Sequence, residues 1–245
     1  GDFSQQGPEL ITNGDFATNT DWTLFPGWSI GDGKATFENS QGAGNLTQTS
    51  VLEVGKYYKL TFDTLETNST SFAYTLGSGF EFISPIEPNS TYTVFNTVTT
   101  GGTAVSLRGT SLFIGSIDNV SVKEVGQDWT LDAGWSIGDS KATKVSGSAG
   151  GIEQANIFAN GKKYKLNFTV SDATSGGIVI YIGQGTQIIA QTTSNGDKEF
   201  IFTSAVNQNK LLFEGNSLFN GSVSNVSVIE ITDDTNLPRI DYSPY

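Results

Sequence analysis

The chain has 245 residues, 36% of them hydrophobic and only 16% charged, a formal net charge of −12, and no cysteine, histidine or methionine. Without cysteine there is no disulfide framework, thiolate metal site or cysteine nucleophile; without histidine the usual general base and transition-metal ligand are missing. The acidity excludes a nucleic-acid reader, which needs a basic stripe against phosphates, and disfavours anionic membrane surfaces; no apolar run has the length needed to insert across a bilayer.

Residues 1–8 are short and polar and read as an N-terminal tail. A chain beginning Gly1-Asp2-Phe3 without methionine is expected to be a processed product, a fragment or a chain trimmed at its start. A first domain is expected over residues 9–125. It opens with a short strand, Leu10–Phe16, running into the Asn13-Gly14 turn. Asp21-Trp22-Thr23-Leu24 and Gly27-Trp28-Ser29-Ile30-Gly31-Asp32 follow. Tyr58, Leu60 and Phe62 then alternate with Tyr57, Lys59, Thr61 and Asp63, the pattern of a half-buried strand. Phe72, Tyr74 and Leu76 share one face of the next strand, then Val105 and Leu107, and Val120 and Val122 close the domain.

The chain then repeats itself. Asp128-Trp129-Thr130-Leu131 and Gly134-Trp135-Ser136-Ile137-Gly138-Asp139 return the Trp motifs at a shift of 107. Tyr164, Leu166 and Phe168, then Ile178, Ile180 and Ile182, then Leu211 and Phe213, and finally Val226 and Val228 follow at a shift of 106. A period this long is a whole domain rather than a solenoid repeat. The second domain is placed at 126–231. At the same shift it meets Val120–Gln127, which already close the first domain, so it lacks a first strand of its own. Residues 232–245 form a C-terminal extension, either a linker or a strand that completes the second domain or a neighbouring chain. Turn residues recur about every ten positions, as in a sandwich of about eight short strands per domain. The fold class expected is all-β, two tandem antiparallel jelly-roll-like β-sandwiches related by an internal duplication.

Asn13-Gly14-Asp15-Phe16, the Trp28 segment, Lys56-Tyr57-Tyr58-Lys59-Leu60-Thr61-Phe62 and Ile117-Asp118-Asn119-Val120-Ser121-Val122 together resemble carbohydrate-binding-module-like jelly rolls. Such modules occur in secreted polysaccharide-acting proteins and in bacteriophage tail and virion-appendage proteins. The segment Thr235–Tyr242 is similar to stretches in virion proteins. The resemblance implies an extracellular or virion-surface protein. It also implies a structural calcium between first and closing strands, for which Asp15 and Asp118 are the candidates; Ser224 replaces Asp118 in the second copy, so that domain is expected to bind none. No cofactor is otherwise required.

Sugars are held by flat aromatic faces flanked by polar groups. Trp22, Trp28, Trp129 and Trp135 recur in both copies and read as core or edge anchors. Aromatics present in one copy only are the better candidates for a ligand: Tyr57 (Lys163 in the other copy), Phe80 (Thr186) and Tyr181 (Thr75). Catalysis is not expected. Asp63 with Glu66, and Glu81 with Glu87, are sequence neighbours with no spacing that fixes an acid–base pair. Two readings follow: a module binding cell-surface or extracellular polysaccharide, or a structural subunit or spacer of a phage appendage or extracellular fibre. Gly1–Pro8 or Leu237–Tyr242 would pack on a sandwich edge, in this chain or in a homo-oligomer.

Overall fold

The structure is a computed structural model that describes residues 3–38, 42–68, 70–98, 101–183, 187–205 and 209–232. Strands and turns make up these residues. In the first domain they are β1 (Gln6–Glu9), β2 (Thr23–Leu24), β3 (Trp28–Gly31), β4 (Lys34–Phe37), β5 (Gly44–Gln48), β6 (Tyr57–Thr67), β7 (Phe72–Leu76), β8 (Glu81–Ile83), β9 (Ser90–Thr97), β10 (Val105–Gly109) and β11 (Gly115–Val125). One sheet runs β3-β4-β11-β6-β9, with β1 added along β11; the other runs β2-β5-β10-β7-β8.

The second domain repeats the plan. Its strands are β12 (Trp129–Leu131), β13 (Trp135–Gly138), β14 (Lys141–Lys144), β15 (Gly150–Gln154), β16 (Lys163–Ser175), β17 (Ile178–Ile182), β18 (Gln187–Thr192), β19 (Gly196–Thr203), β20 (Leu211–Gly215) and β21 (Asn220–Glu230). They form the sheets β13-β14-β21-β16-β19 and β12-β15-β20-β17-β18. By contacts, Phe3–Gln127 and Ser136–Ser140 make one compact unit, and among the described residues Asp128–Trp135 and those from Lys141 onward make the other.

The period-two pattern sets the register. Tyr58, Leu60 and Phe62 are buried, as are Tyr164, Leu166 and Phe168, with the alternate residues facing outward. Rings join the two sheets of each sandwich: Phe62 and Phe72 lie 5.5 Å apart, Phe168 and Phe213 5.0 Å. Polar handles repeat as well. The indole N–H groups of Trp28 and Trp135 donate to the Gly44 and Gly150 carbonyls, both at 2.9 Å. The hydroxyls of Tyr58 and Tyr164 accept the N–H groups of Glu53 and Ala159, at 2.8 and 2.9 Å. All four Trp side chains are buried, as core anchors should be.

Three expectations change. Residues 1–8 are not merely a tail, because Gln6–Glu9 pairs antiparallel with β11, Gln6 opposite Val125 and Glu9 opposite Lys123. Leu10–Phe16 is not a strand. The Glu9 carboxylate ends the ladder by accepting the N–H groups of Leu10, Ile11 and Val122 and the Ser121 hydroxyl. The chain then turns through Asn13, which has a left-handed φ of 51°, and buries Ile11 and Phe16 in the core. Third, Val226 and Val228 are half-buried where Val120 and Val122 are fully buried, and among the described residues no segment equivalent to Leu10–Phe16 covers them. The segment Leu237–Tyr242 lies outside the described residues.

Candidate functional site

Outward-facing side chains of a sheet are normally wet. On β2-β5-β10-β7-β8 three of them are not: Ala73 is 0% exposed, and Thr75 and Ser106 are 6% exposed. The register makes two rows across this face. Thr23, Thr47, Ser106 and Thr75 form one, and Asn45, Arg108, Ala73 and Phe82 the other. Ala73, Thr75 and Ser106 carry small side chains, with Arg108 beside Ala73 in the register and in contact with Phe80. The Arg108 guanidinium sits 4.9 Å from the Phe80 ring centroid and donates from Nη1 to Asn45 Oδ1 at 3.3 Å. Such a cation–aromatic contact contributes about 0.5–1 kcal/mol at an exposed site.

The hydroxyls of this face are unequally served. Thr47 and Ser106 share a hydrogen bond of 2.8 Å. Thr75 Oγ1, beside Ser106 in the register, is shut from solvent and has no hydrogen-bond partner. A buried unpaired hydroxyl costs about 1–3 kcal/mol, so its retention needs a reason. Phe82 is 65% exposed at the β8 margin of this face; Phe25, whose N–H bonds the Asn45 carbonyl beside β2, is 47% exposed. Aromatic surface thus flanks a polar strip carrying an amide, a guanidinium and hydroxyls.

The matching face of the second domain is filled. Val179, Tyr181 and Leu212 stand where Ala73, Thr75 and Ser106 do, pairing in the same register. Leu212 leans over Gly151, where a Cβ would meet its Cδ1 at 2.4 Å. Glu214 replaces Arg108, and Glu153 is tied to Lys210.

The ligand candidates Tyr57, Phe80 and Tyr181 therefore do not converge. Tyr57 lies on β6, in the opposite sheet, opposite Thr97 and Val125. Tyr181 belongs to the second domain, and Phe80 alone edges the polar strip; its counterpart Thr186 is outside the described residues. Arg108, Asn45 and Thr75 were not singled out by sequence. Their signal was the replacement of Arg108 by Glu214, Ser106 by Leu212 and Thr75 by Tyr181 at outward positions.

The calcium candidates Asp15 and Asp118 each accept a backbone amide. Asp15 Oδ1 accepts the N–H of Ala17 at 3.3 Å, and Asp118 Oδ1 that of Asn119 at 2.7 Å. Burial, with repulsion from Asp63 and Asp15, pushes the Asp118 carboxyl above its ordinary value despite the Asn119 amide. Asp63 accepts from Thr91 Oγ1 at 2.5 Å and from Asn119 Nδ2 at 2.8 Å. The second domain inverts this cluster: Thr169 Oγ1 donates to Asp197 at 2.7 Å, and Asn225 Nδ2 donates to Thr169 at 3.1 Å. Calcium requires six to eight oxygens. Among the described residues no group of three or more Asp, Glu, His or Cys has metal-holding geometry, so a calcium here would have to draw on backbone carbonyls besides Asp15 and Asp118.

No protein-family model matches the chain, and no curated protein matches it. Among solved structures it is similar to the N-terminal CBM22-1-CBM22-2 tandem domain from Paenibacillus barcinonensis Xyn10C, at 10% identity over 94% of this chain and 100% of that one, with a TM-score of 0.36. A fucolectin from the serum of Morone saxatilis (striped bass) matches at 12% identity over 79% and 84%, TM-score 0.31. The tandem CBM51 modules of Sp3GH98, a family 98 glycoside hydrolase from Streptococcus pneumoniae SP3-BS71, match at 8% identity over 92% of each chain, TM-score 0.28. Likenesses this distant assign neither family nor ligand.

Proposed function

We propose that the protein is a non-catalytic, extracellular or virion-surface protein. In this reading the outer face of β2-β5-β10-β7-β8 is a weak glycan-adhesion site. The carrying observation is Thr75 Oγ1, a hydroxyl buried without a partner on the sheet face that also carries Arg108. A sugar brings what this face lacks: hydroxyls that give and accept hydrogen bonds, and a C–H face that packs on aromatic rings. Phe80 and Phe82 would take the C–H faces. Asn45 and Arg108 would take hydroxyls along the strip, and a hydroxyl admitted beside Phe80 would reach Thr75. The filled face of the second domain would not bind.

Titration of the full chain with soluble polysaccharides, followed by backbone amide shifts, tests this. Shifts should concentrate on β7, β8 and β10 and vanish in Arg108→Ala. Shifts elsewhere would relocate the site. No shift with any polysaccharide would favour a structural subunit or spacer of a phage appendage or fibre.

A further inference from the structure

The face that carries Thr75 also carries a charge that no described residue balances. Arg108 is one of two arginines among 13 basic residues. Its one hydrogen bond among the described residues goes to Asn45 Oδ1, and its other contact is the Phe80 ring. Lys56, Lys141, Lys162, Lys165 and Lys210 each meet a carboxylate; among the described residues Arg108 meets none. The two rows of paired residues across this face contain no Asp or Glu. The second domain has Glu214 at the corresponding position.

We propose that the glycan taken by this face is acidic: a sugar bearing a carboxylate, held by Arg108. The proposal rests on the glycan reading of the face and names its ligand class. A guanidinium offers five N–H donors in a planar fork, which a carboxylate meets with two parallel bonds. Asn45 uses one of the five. The Phe80 contact and the Asn45 bond hold the fork in place before a ligand arrives, so little freedom is lost on binding. Charge-assisted hydrogen bonds are about twice as strong as neutral ones. A neutral sugar therefore forfeits most of what this residue can supply.

The neighbours suit such a ligand. Asn45, Arg108, Ala73 and Phe82 follow one another across the register, so Phe82 stands two strands from Arg108, roughly 10 Å by the ordinary strand spacing. A pyranose laid by its C–H face on the exposed Phe82 ring would bring a carboxyl substituent to Arg108. Asn45 gives its Oδ1 to Arg108 and has its Nδ2 N–H groups to offer a neighbouring hydroxyl. The net charge of −12 repels a long polyanion, so the site is suited to one acidic residue within a glycan rather than to a dense run of them.

Calorimetric titration of the full chain with short oligomers of galacturonate, glucuronate and mannuronate, each beside its carboxyl-reduced neutral form, tests this. An acidic oligomer is expected to bind about tenfold or more tightly than its own reduced form. That comparison changes the ligand alone and does not depend on a variant folding. Arg108→Gln should erase the ratio, and Arg108→Lys, which keeps the charge and loses the fork, should recover only part of it. Equal binding of acidic and reduced forms, or preference for the reduced ones, overturns the acidic class and leaves the glycan reading standing. Binding of no oligomer in either form overturns both. A sulfated dextran oligomer bound as tightly as the acidic sugars overturns the carboxylate in favour of any anion, and a ratio that survives Arg108→Gln overturns the role of Arg108.

Discussion

The two sandwiches share most of their interior and part company at their surfaces, with a buried charge as the sharpest exception inside. Phe37 in the first domain packs on Trp28 at 5.2 Å and on Phe113 at 6.2 Å between ring centroids. The same slot in the second domain holds Lys144, which is 0% exposed, with its ammonium donating to the Val145 and Ser148 carbonyls at 3.2 and 2.9 Å. A Cβ at Gly109 would meet the Phe37 ring at 2.4 Å, and one at Gly215 would meet Lys144 Cδ at 2.6 Å, so the two slots have the same walls. Duplication thus preserved the strand plan and the shape of the core while releasing each copy's outer face and edge. Function is to be sought where the copies differ, as at Arg108 and Phe80 in the first domain.

The largest effect expected is on the shared core. Phe62→Ala and Phe168→Ala should each destabilise their own sandwich by about 3–5 kcal/mol. Amide exchange should show the loss on β6 for the first variant and on β16 for the second. Loss on both strands from either variant would break the picture of two separate cores.

The exception gives the next effect. Burial lowers the Lys144 pKa from its ordinary value. The stability linked to this group is therefore full above the unfolded value near 10.5 and is lost as pH falls through the lowered folded value. At neutral pH the second domain bears that penalty. Lys144→Phe should recover about 1–3 kcal/mol and flatten the alkaline part of the stability profile. A destabilised variant would mean that the ammonium and its two carbonyls are a net gain.

Glu9 has no counterpart among the described residues of the second domain. Glu9→Ala should cost the first domain about 1 kcal/mol through the amides and hydroxyl it leaves unpaired, measured by urea unfolding, with the second domain unchanged. Smaller still is the effect at Asp118, which Ser224 replaces. Its folded pKa is raised, so its stabilising contribution is present below about 3.8 and lost as pH rises through the folded value. Asp118→Asn keeps the acceptor for the Asn119 N–H. It should raise the melting temperature slightly at pH 7 and leave it unchanged at pH 3. Calcium and chelator should both leave the wild-type midpoint where it is; a calcium-dependent rise removed by this substitution would restore the calcium expectation.

Much of the fold was legible because period-two alternation has one meaning when a single face is buried: Tyr58, Leu60 and Phe62 could not be turned outward without exposing the whole set. The closing strands show the limit. Asn119-Val120-Ser121-Val122 and Asn225-Val226-Ser227-Val228 are identical in sequence, yet only the first pair of valines is buried, because burial there is supplied by Leu10–Phe16 and not by the strand itself. The candidate site was half legible. A search for aromatics unique to one copy finds Phe80. It passes over Thr75, Ser106 and Ala73, which alternation marks as solvent-facing but which are buried. Tyr57 and Tyr181 pass the same search and lie on other faces.

A glycan array probed with the full chain, the double variant Phe80→Ala/Arg108→Ala and Tyr181→Thr tests the central difference most directly. Binding by the wild type, abolished in the double variant and unchanged in Tyr181→Thr, is the result expected if the first domain alone carries the site. Binding that survives the double variant, or that is lost with Tyr181, would contradict it.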